Sequence, residues 1–305
     1  MLKMMRFFPF LRSIRGLLTL VCLFALALGA ARGQSSAVTL TPALVVAGSP
    51  ELIRVEASGD ASVDGEWLGR KLEFFRGRDG RSWFALAGVD VEAPVGPSTL
   101  RISARLRGGG VRELSQTVQI HAAHYKTGAL TVAPKFVSPG PEELKQIEAD
   151  QQLKKKAFGV SASSSLEPLR SANFQAPVAA EPTDSFGTRR TFNGKLASVH
   201  KGMDFRAAAG TPVRAGNSGV VVLARPLYYE GGCVAVDHGL GLFTISMHMS
   251  KISVQEGQKV ATGELLGLSG ATGRVTGPHL HWAVRWQGAY LDPDKMLRLD
   301  LSAVR

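Results

Sequence analysis

Two short stretches of this 305-residue chain hold residues that could do chemistry together. One is "TGPHLHWAV", where His279 and His281 stand two apart inside an apolar run. In a strand, side chains two apart point to the same face, so both imidazoles project together. The other is "HKGMDF", where Gly202 lets the chain bend so that the His200 imidazole and the Asp204 carboxylate can converge. A catalytic zinc takes about three protein ligands from His, Asp, Glu or Cys and keeps one position open for water. His200, Asp204 and one member of the closing pair meet that requirement with two neutral nitrogens and one anionic oxygen. That set leaves Zn2+ net positive and strongly polarising.

The chain has no His-Glu-x-x-His helix, so the glutamate that serves many zinc proteases as general base is absent. The other member of the pair and His248, in "TISMHMS", remain to move protons. Histidine titrates near neutral pH, so it can take a proton from an activated water and return one to a leaving amine.

The elements that must position these residues are short strands. From Ser185 onward, "GTPVRAGNSGVVVLAR", "GGCVAVDHG", "GLFTISMHM" and "HLHWAVRWQG" are apolar runs separated by glycine turns. They predict a nearly all-β domain closing near Leu299. Residues 36–125 alternate polar and apolar, as in "ELIRVEA" and "STLRISARL", with turns at "GRDG" and "RGGG". They predict a small Ig-like β-sandwich. Residues 126–183 read as a linker. It contains one charged surface helix in "PGPEELKQIEADQQLKKKAFG", then a Ser-, Ala- and Pro-rich stretch from residue 160 that forms an irregular connection or a strap.

Residues 1–33 read as a secretory signal peptide, with Lys3, Arg6, Arg12 and Arg15 ahead of the apolar run from Gly16 to Ala31. If that segment is retained, it would serve as an inner-membrane anchor. The five basic residues of the leader leave 31 basic against 25 acidic, a mature net charge of +6. A mildly basic exported protein suits an anionic partner such as a wall polymer. No basic cluster is interleaved with aromatics, which speaks against nucleic acid. Cys233 is then the one remaining cysteine, placed in a Val-rich run as a small buried residue.

The segment Ser185 to about Leu299 resembles the lysostaphin- and LytM-type zinc metalloendopeptidases of metallopeptidase family twenty-three. The matching stretches are "FGTRRTFNG", "HKGMDF", "AGTPVRAGNSGVVV", "GLFTISMHMS", "VQEGQKVATGELLG" and "ATGRVTGPHLHW". The resemblance implies an antiparallel, barrel-hybrid-like peptidase domain over residues 184–300. It makes His200, Asp204 and His281 the zinc ligands, and His248 and His279 the catalytic histidines. Residues 36–125 look like the β-sandwich that precedes this domain in some exported members. The family's usual tyrosine two residues before the first catalytic histidine is Ser246 here.

Other pairs have plainer readings. Asp237 and His238 are adjacent, so in a strand they face opposite sides and end a strand at a turn. His121 and His124 lie at a strand exit as solvated residues. The glycine- and valine-spaced "VQEGQKVATGELLG" resembles the fold of biotinyl and lipoyl carriers but lacks an exposed lysine at a hairpin tip. The functional expectation is an exported, periplasmic or wall-associated zinc endopeptidase acting on peptide stems or cross-bridges of peptidoglycan. Two alternatives stand beside it: a non-catalytic LytM-like activator of a wall amidase, which would have lost ligands, and an exported protease acting on proteins. Every candidate ligand lies after residue 199, so residues 184–305 are expected to suffice for the chemistry, with the N-terminal half either restricting access to the groove or directing the enzyme to a regulatory protein partner.

Overall fold

Strand patterning follows how many faces each strand buries. Gly96–Leu106 alternates buried and exposed positions, one face inward, as an antiparallel strand with one wet side does. Gly231–Asp237 and Leu242–Met249 are apolar and almost wholly buried, as central strands covered on both faces must be. The chain, seen in a computed structural model, is described over residues 38–57, 60–160 and 173–302. The leader expected at 1–33 and residues 161–172 of the Ser- and Ala-rich stretch lie outside the described residues. Among the described residues no helix is long and apolar enough to cross a membrane.

The protein is mainly β. Two four-stranded antiparallel sheets form the N-terminal part. One runs Val38–Thr41, Pro50–Glu56, Ser82–Gly88, Phe75–Arg76, and the other Arg70–Glu73, Asp60–Trp67, Gly96–Leu106, Val111–Ile120. Ile53, Val55 and Phe84 from the first share a core with Trp67, Leu72, Leu100 and Ile102 from the second.

The C-terminal part is built on an eight-stranded antiparallel sheet. Its order is Pro182–Asp184, Met203–Phe205, Leu280–Trp286, Leu242–Met249, Gly231–Asp237, Gly219–Leu227, Lys259–Val260, with Ala289–Leu291 also paired to Leu280–Trp286. The helix Pro141–Val160 lies beside it, with Ala157 and Phe158 packed on Leu223, Leu227 and Ile245.

Two strands arise inside the stretch read from sequence as linker. Thr127–Leu130 pairs in parallel with Arg189–Phe192, and Pro182–Asp184 opens the main sheet. The four-residue "TGAL" is too short and too glycine-bearing to show a period. Phe174 and Val178 are buried in the shared core, so the described part of the Pro-rich stretch lies along the domain as a strap.

The described residues form one compact unit. The junction between its two halves is largely hydrogen-bonded through main chain. Asp292 N donates to Gly48 O at 2.7 Å, Tyr290 N to Asp90 Oδ2 at 2.8 Å and Val91 N to Tyr290 O at 3.2 Å. A Cβ on Gly88 would stand 2.4 Å from Leu291, so the two surfaces meet with no space for a methyl group.

Candidate metal centre

Asp204 and His281 are direct cross-strand partners in the register of Met203–Phe205 with Leu280–Trp286. Cross-strand partners share a face. His200 sits just before this strand, held by His200 N donating to Thr188 O and Gly187 N donating to His200 O. Gly202 between them is dictated by close approach: a Cβ there would lie 2.4 Å from His281 Nε2. The geometry brings three donor atoms to one point. His200 Nε2 is 3.0 Å from Asp204 Oδ1 and 3.0 Å from His281 Nδ1, and the last two are 2.9 Å apart. All three residues are buried.

A cation fits these atoms. His200 Nδ1 donates to the Ser185 carbonyl at 3.0 Å, so its Nε2 carries a lone pair. That lone pair faces an anionic oxygen and a second imidazole nitrogen, an arrangement that repels unless something positive lies between them. Separations near 3 Å are close to the ~3.3 Å edge of a tetrahedron with bonds of about 2.0–2.1 Å. Burial works to raise the Asp204 pKa, but the hydrogen bonds and charges of His200 and His281 hold it far below the usual carboxylate range. Burial pushes the His281 pKa down, against Asp204.

His248 and His279 border this point. Their ring centroids are 4.8 Å apart, and His248 lies 6.0 Å from His281. His279 Nε2 is 3.7 Å from Asp204 Oδ1. Both rings are oriented in the same way. His248 Nδ1 donates to Thr272 O at 2.9 Å and His279 Nδ1 to Gly277 O at 2.8 Å. Each therefore keeps an Nε2 lone pair. His248 has φ of +64°, a left-handed conformation that His adopts more readily than most residues. Burial, then the charges of His281 and His279, pushes its pKa down to about 3, so at neutral pH it is an unprotonated imidazole. Ser246 is buried opposite Val234 and Trp282, and supplies no ring or phenol.

Two groups at the site were not singled out from sequence. Arg190, in "FGTRRTFNG", donates to Asp204 Oδ2 at 2.7 Å and from Nε to Asp184 Oδ2 at 3.0 Å. Asp184 also accepts from Thr188 Oγ1 at 2.9 Å. The doubled arginine was the only signal, and nothing in its spacing says that it faces a carboxylate. The other residues behave more plainly. His238 is buried, with its ring bonded to Ser218 O and Thr244 Oγ1, and Asp237 Oδ1 accepts from Gly239 N. His121 and His124 are exposed.

The five residues open onto a cleft of about 710 Å3. Its walls come from the loop at residues 274–278, from Tyr229 and Glu230, from Phe192, and from Leu130, Val132 and Glu92 upstream.

His200, Asp204 and His281 form a group that could hold a metal ion, on a mainly β fold. Residues 198–293 match the model of peptidase family M23, and the chain carries a domain of that family. Peptidoglycan DD-endopeptidase ShyA of Vibrio cholerae is 48% identical over 94 residues, covering 31% of this chain and 22% of that protein. DD-carboxypeptidase/endopeptidase Mpg of Neisseria meningitidis is 41% identical over 95 residues, covering 31% and 22%. The chain thus spans about a fifth of the length of these curated relatives. A crystallised Pseudomonas aeruginosa chain assigned to peptidase M23 superposes with a TM-score of 0.61 at 28% identity, covering 83% of this chain and 94% of that one.

Proposed function

We propose that the protein is an exported zinc metalloendopeptidase that hydrolyses peptide bonds in the stems or cross-bridges of peptidoglycan. The observation that carries this reading is the meeting of His200 Nε2, Asp204 Oδ1 and His281 Nδ1, with two further imidazoles offering Nε2 beside them. When bound, the metal supplies Lewis acidity toward the scissile carbonyl and the attacking water. His200, Asp204 and His281 hold it. His248 and His279 take the proton from the water at Nε2 and return one to the leaving amine, while their Nδ1–H bonds to Thr272 and Gly277 keep the rings aimed. Burial around His248 keeps the imidazole neutral, so its Nε2 lone pair is free.

Peptidoglycan is supported by the names of the relatives and by the basic mature charge. The test is digestion of purified peptidoglycan by the chain without residues 1–33, with and without zinc, followed by mass analysis of the released fragments. Zinc-dependent release of peptide-cleaved fragments is expected. Intact wall, with cleavage appearing only when an amidase is added, favours the activator reading instead. Filled ligand positions speak against that reading.

A further inference from the structure

We infer that Arg274 forms a subsite for a free carboxylate of the substrate, beside the bond to be cut. The inference rests on the peptidase reading for its substrate, and it deepens that reading by naming a chemical group. The Arg274 guanidinium carbon lies 4.5 Å from the Phe192 ring centroid and 4.7 Å from that of Tyr229. Both rings lie within cation–π distance of the guanidinium, whose N–H groups donate in its own plane. A planar fork of donors matches a carboxylate, which it binds through two parallel hydrogen bonds.

The fork is not engaged within the protein. Among the described residues Arg274 makes a main-chain bond, from its N to Tyr229 O at 2.8 Å, but its guanidinium makes no hydrogen bond or ion pair. Among the described residues the other charged groups on the cleft wall are paired, although Glu230, an electrostatic neighbour of Arg274, keeps its Oε2 without a hydrogen-bond partner. Arg190 holds Asp184 and Asp204, Lys201 holds Glu92 at 2.8 Å, and Glu230 is held by Lys154. Burial lowers the Arg274 pKa, yet a guanidinium stays charged at any working pH. A partly buried, charged, unpaired fork on a cleft wall is a docking point for an anion.

The arm is also built in advance. Phe192 is buried against Val132 and Phe136. Phe136 packs on Tyr228 and Tyr229 at 5.3 and 6.4 Å between ring centroids. Asp150 of the helix Pro141–Val160 accepts from Tyr228 N at 2.7 Å. Fixing the arginine beforehand lowers the entropy lost when substrate binds. Its place in the chain gives the location. Thr272 and Gly277, on either side of Arg274, supply the carbonyls that orient His248 and His279.

The test uses a pair of purified cross-linked muropeptides, one with its carboxylates free and one with them amidated. Wild-type zinc-loaded chain should cut the free acid with kcat/KM roughly 10- to 100-fold above the amide, the size of a charge-assisted hydrogen bond. Arg274→Gln should abolish that preference by slowing the acid alone, chiefly through KM, and Arg274→Lys should retain part of it. Binding of the same pair to zinc-loaded chain carrying His279→Ala, read by calorimetry, should show the same preference without depending on turnover. Wild-type chain that treats acid and amide alike overturns the inference, as does an Arg274→Gln chain that keeps the preference or weakens both substrates equally. Acid-selective binding with no cleavage by the wild type keeps the carboxylate subsite and overturns the peptidase reading. Neither binding nor cleavage overturns both.

Discussion

Arg190 grips the oxygen of Asp204 that the histidines do not use. Its guanidinium donates to Oδ2 at 2.7 Å, while Oδ1 faces His200 Nε2 and His281 Nδ1. One oxygen is thereby reserved for a metal and the carboxylate cannot rotate to offer both. Arg190→Gln should weaken zinc binding about 10- to 100-fold, as loss of a group orienting a ligand does. Competition against a chromophoric chelator reads this directly. An unchanged zinc affinity would show that the arginine merely fills space.

Metal content should separate the five residues into two groups. Asp204→Ala and His281→Ala should each lose bound zinc and activity together, since each removes one of three converging donors. Elemental analysis of purified protein checks it, and full zinc occupancy in His281→Ala would remove that residue from the ligand set.

His248→Ala and His279→Ala should keep zinc and the fold. Both should lose roughly 10²- to 10⁴-fold in turnover, the usual contribution of a positioned acid or base. Single-turnover rates on a defined muropeptide measure it. A wild-type rate in either variant would exclude that ring from proton transfer.

Much of this centre was legible because its logic is local. A two-residue period puts His279 and His281 on one face, and a glycine between His200 and Asp204 lets two ligands meet. The register that sets Asp204 directly across from His281 then follows from strand pairing. Arg190 and Arg274 were hidden for the opposite reason. Their partners, Asp204 and the rings of Phe192 and Tyr229, are distant in sequence, and an arginine looks the same whether solvated or stacked. The sandwich strands showed in their alternation. The union of the two halves did not, because it runs largely through main-chain groups of Gly48, Val91, Tyr290 and Asp292, which leave no mark on residue type.

Stability should fall as pH rises, through Glu51. Its side chain is fully buried, Ser49 Oγ donates to Oε1 at 2.5 Å, and Oε2 has no hydrogen-bond partner. Burial raises its pKa from 4.5 to about 8, with the Ser49 bond and the Lys295 charge opposing. The folded chain thus holds a proton that the unfolded chain releases near pH 4.5. Stability is fully present below pH 4.5 and declines toward pH 8, by up to about 1.4 kcal/mol per pH unit. Glu51→Gln should flatten the dependence of Tm on pH between 5 and 8 and raise Tm at pH 8. Parallel Tm profiles for the two proteins would refute this.

The last expectation concerns how much of the chain the chemistry needs. Ligand positions alone suggest that residues 184–305 suffice, but the packing says otherwise. Cutting at 184 removes Thr127–Leu130 from its pairing with Arg189–Phe192, next to the Asp184–Arg190–Asp204 contacts. It also removes Phe174 and Val178, each a buried side chain contributing about 1.5–3 kcal/mol. Lys154 is lost from Glu230, whose carbonyl accepts from His248 N at 2.8 Å. Starting at 126 keeps all of these and gives up the main-chain junction with Gly48 and Val91 and the packing of Leu291 on Gly88. Stability should therefore rank 38–305 above 126–305, and 126–305 well above 184–305. Zinc retention at the shortest length should be poor, because Arg190 loses the strand beside it. Thermal melts and zinc content of the three lengths decide the matter. If residues 184–305 melt within a few degrees of the full length and hold one zinc, the upstream strand and strap are dispensable to the centre they border.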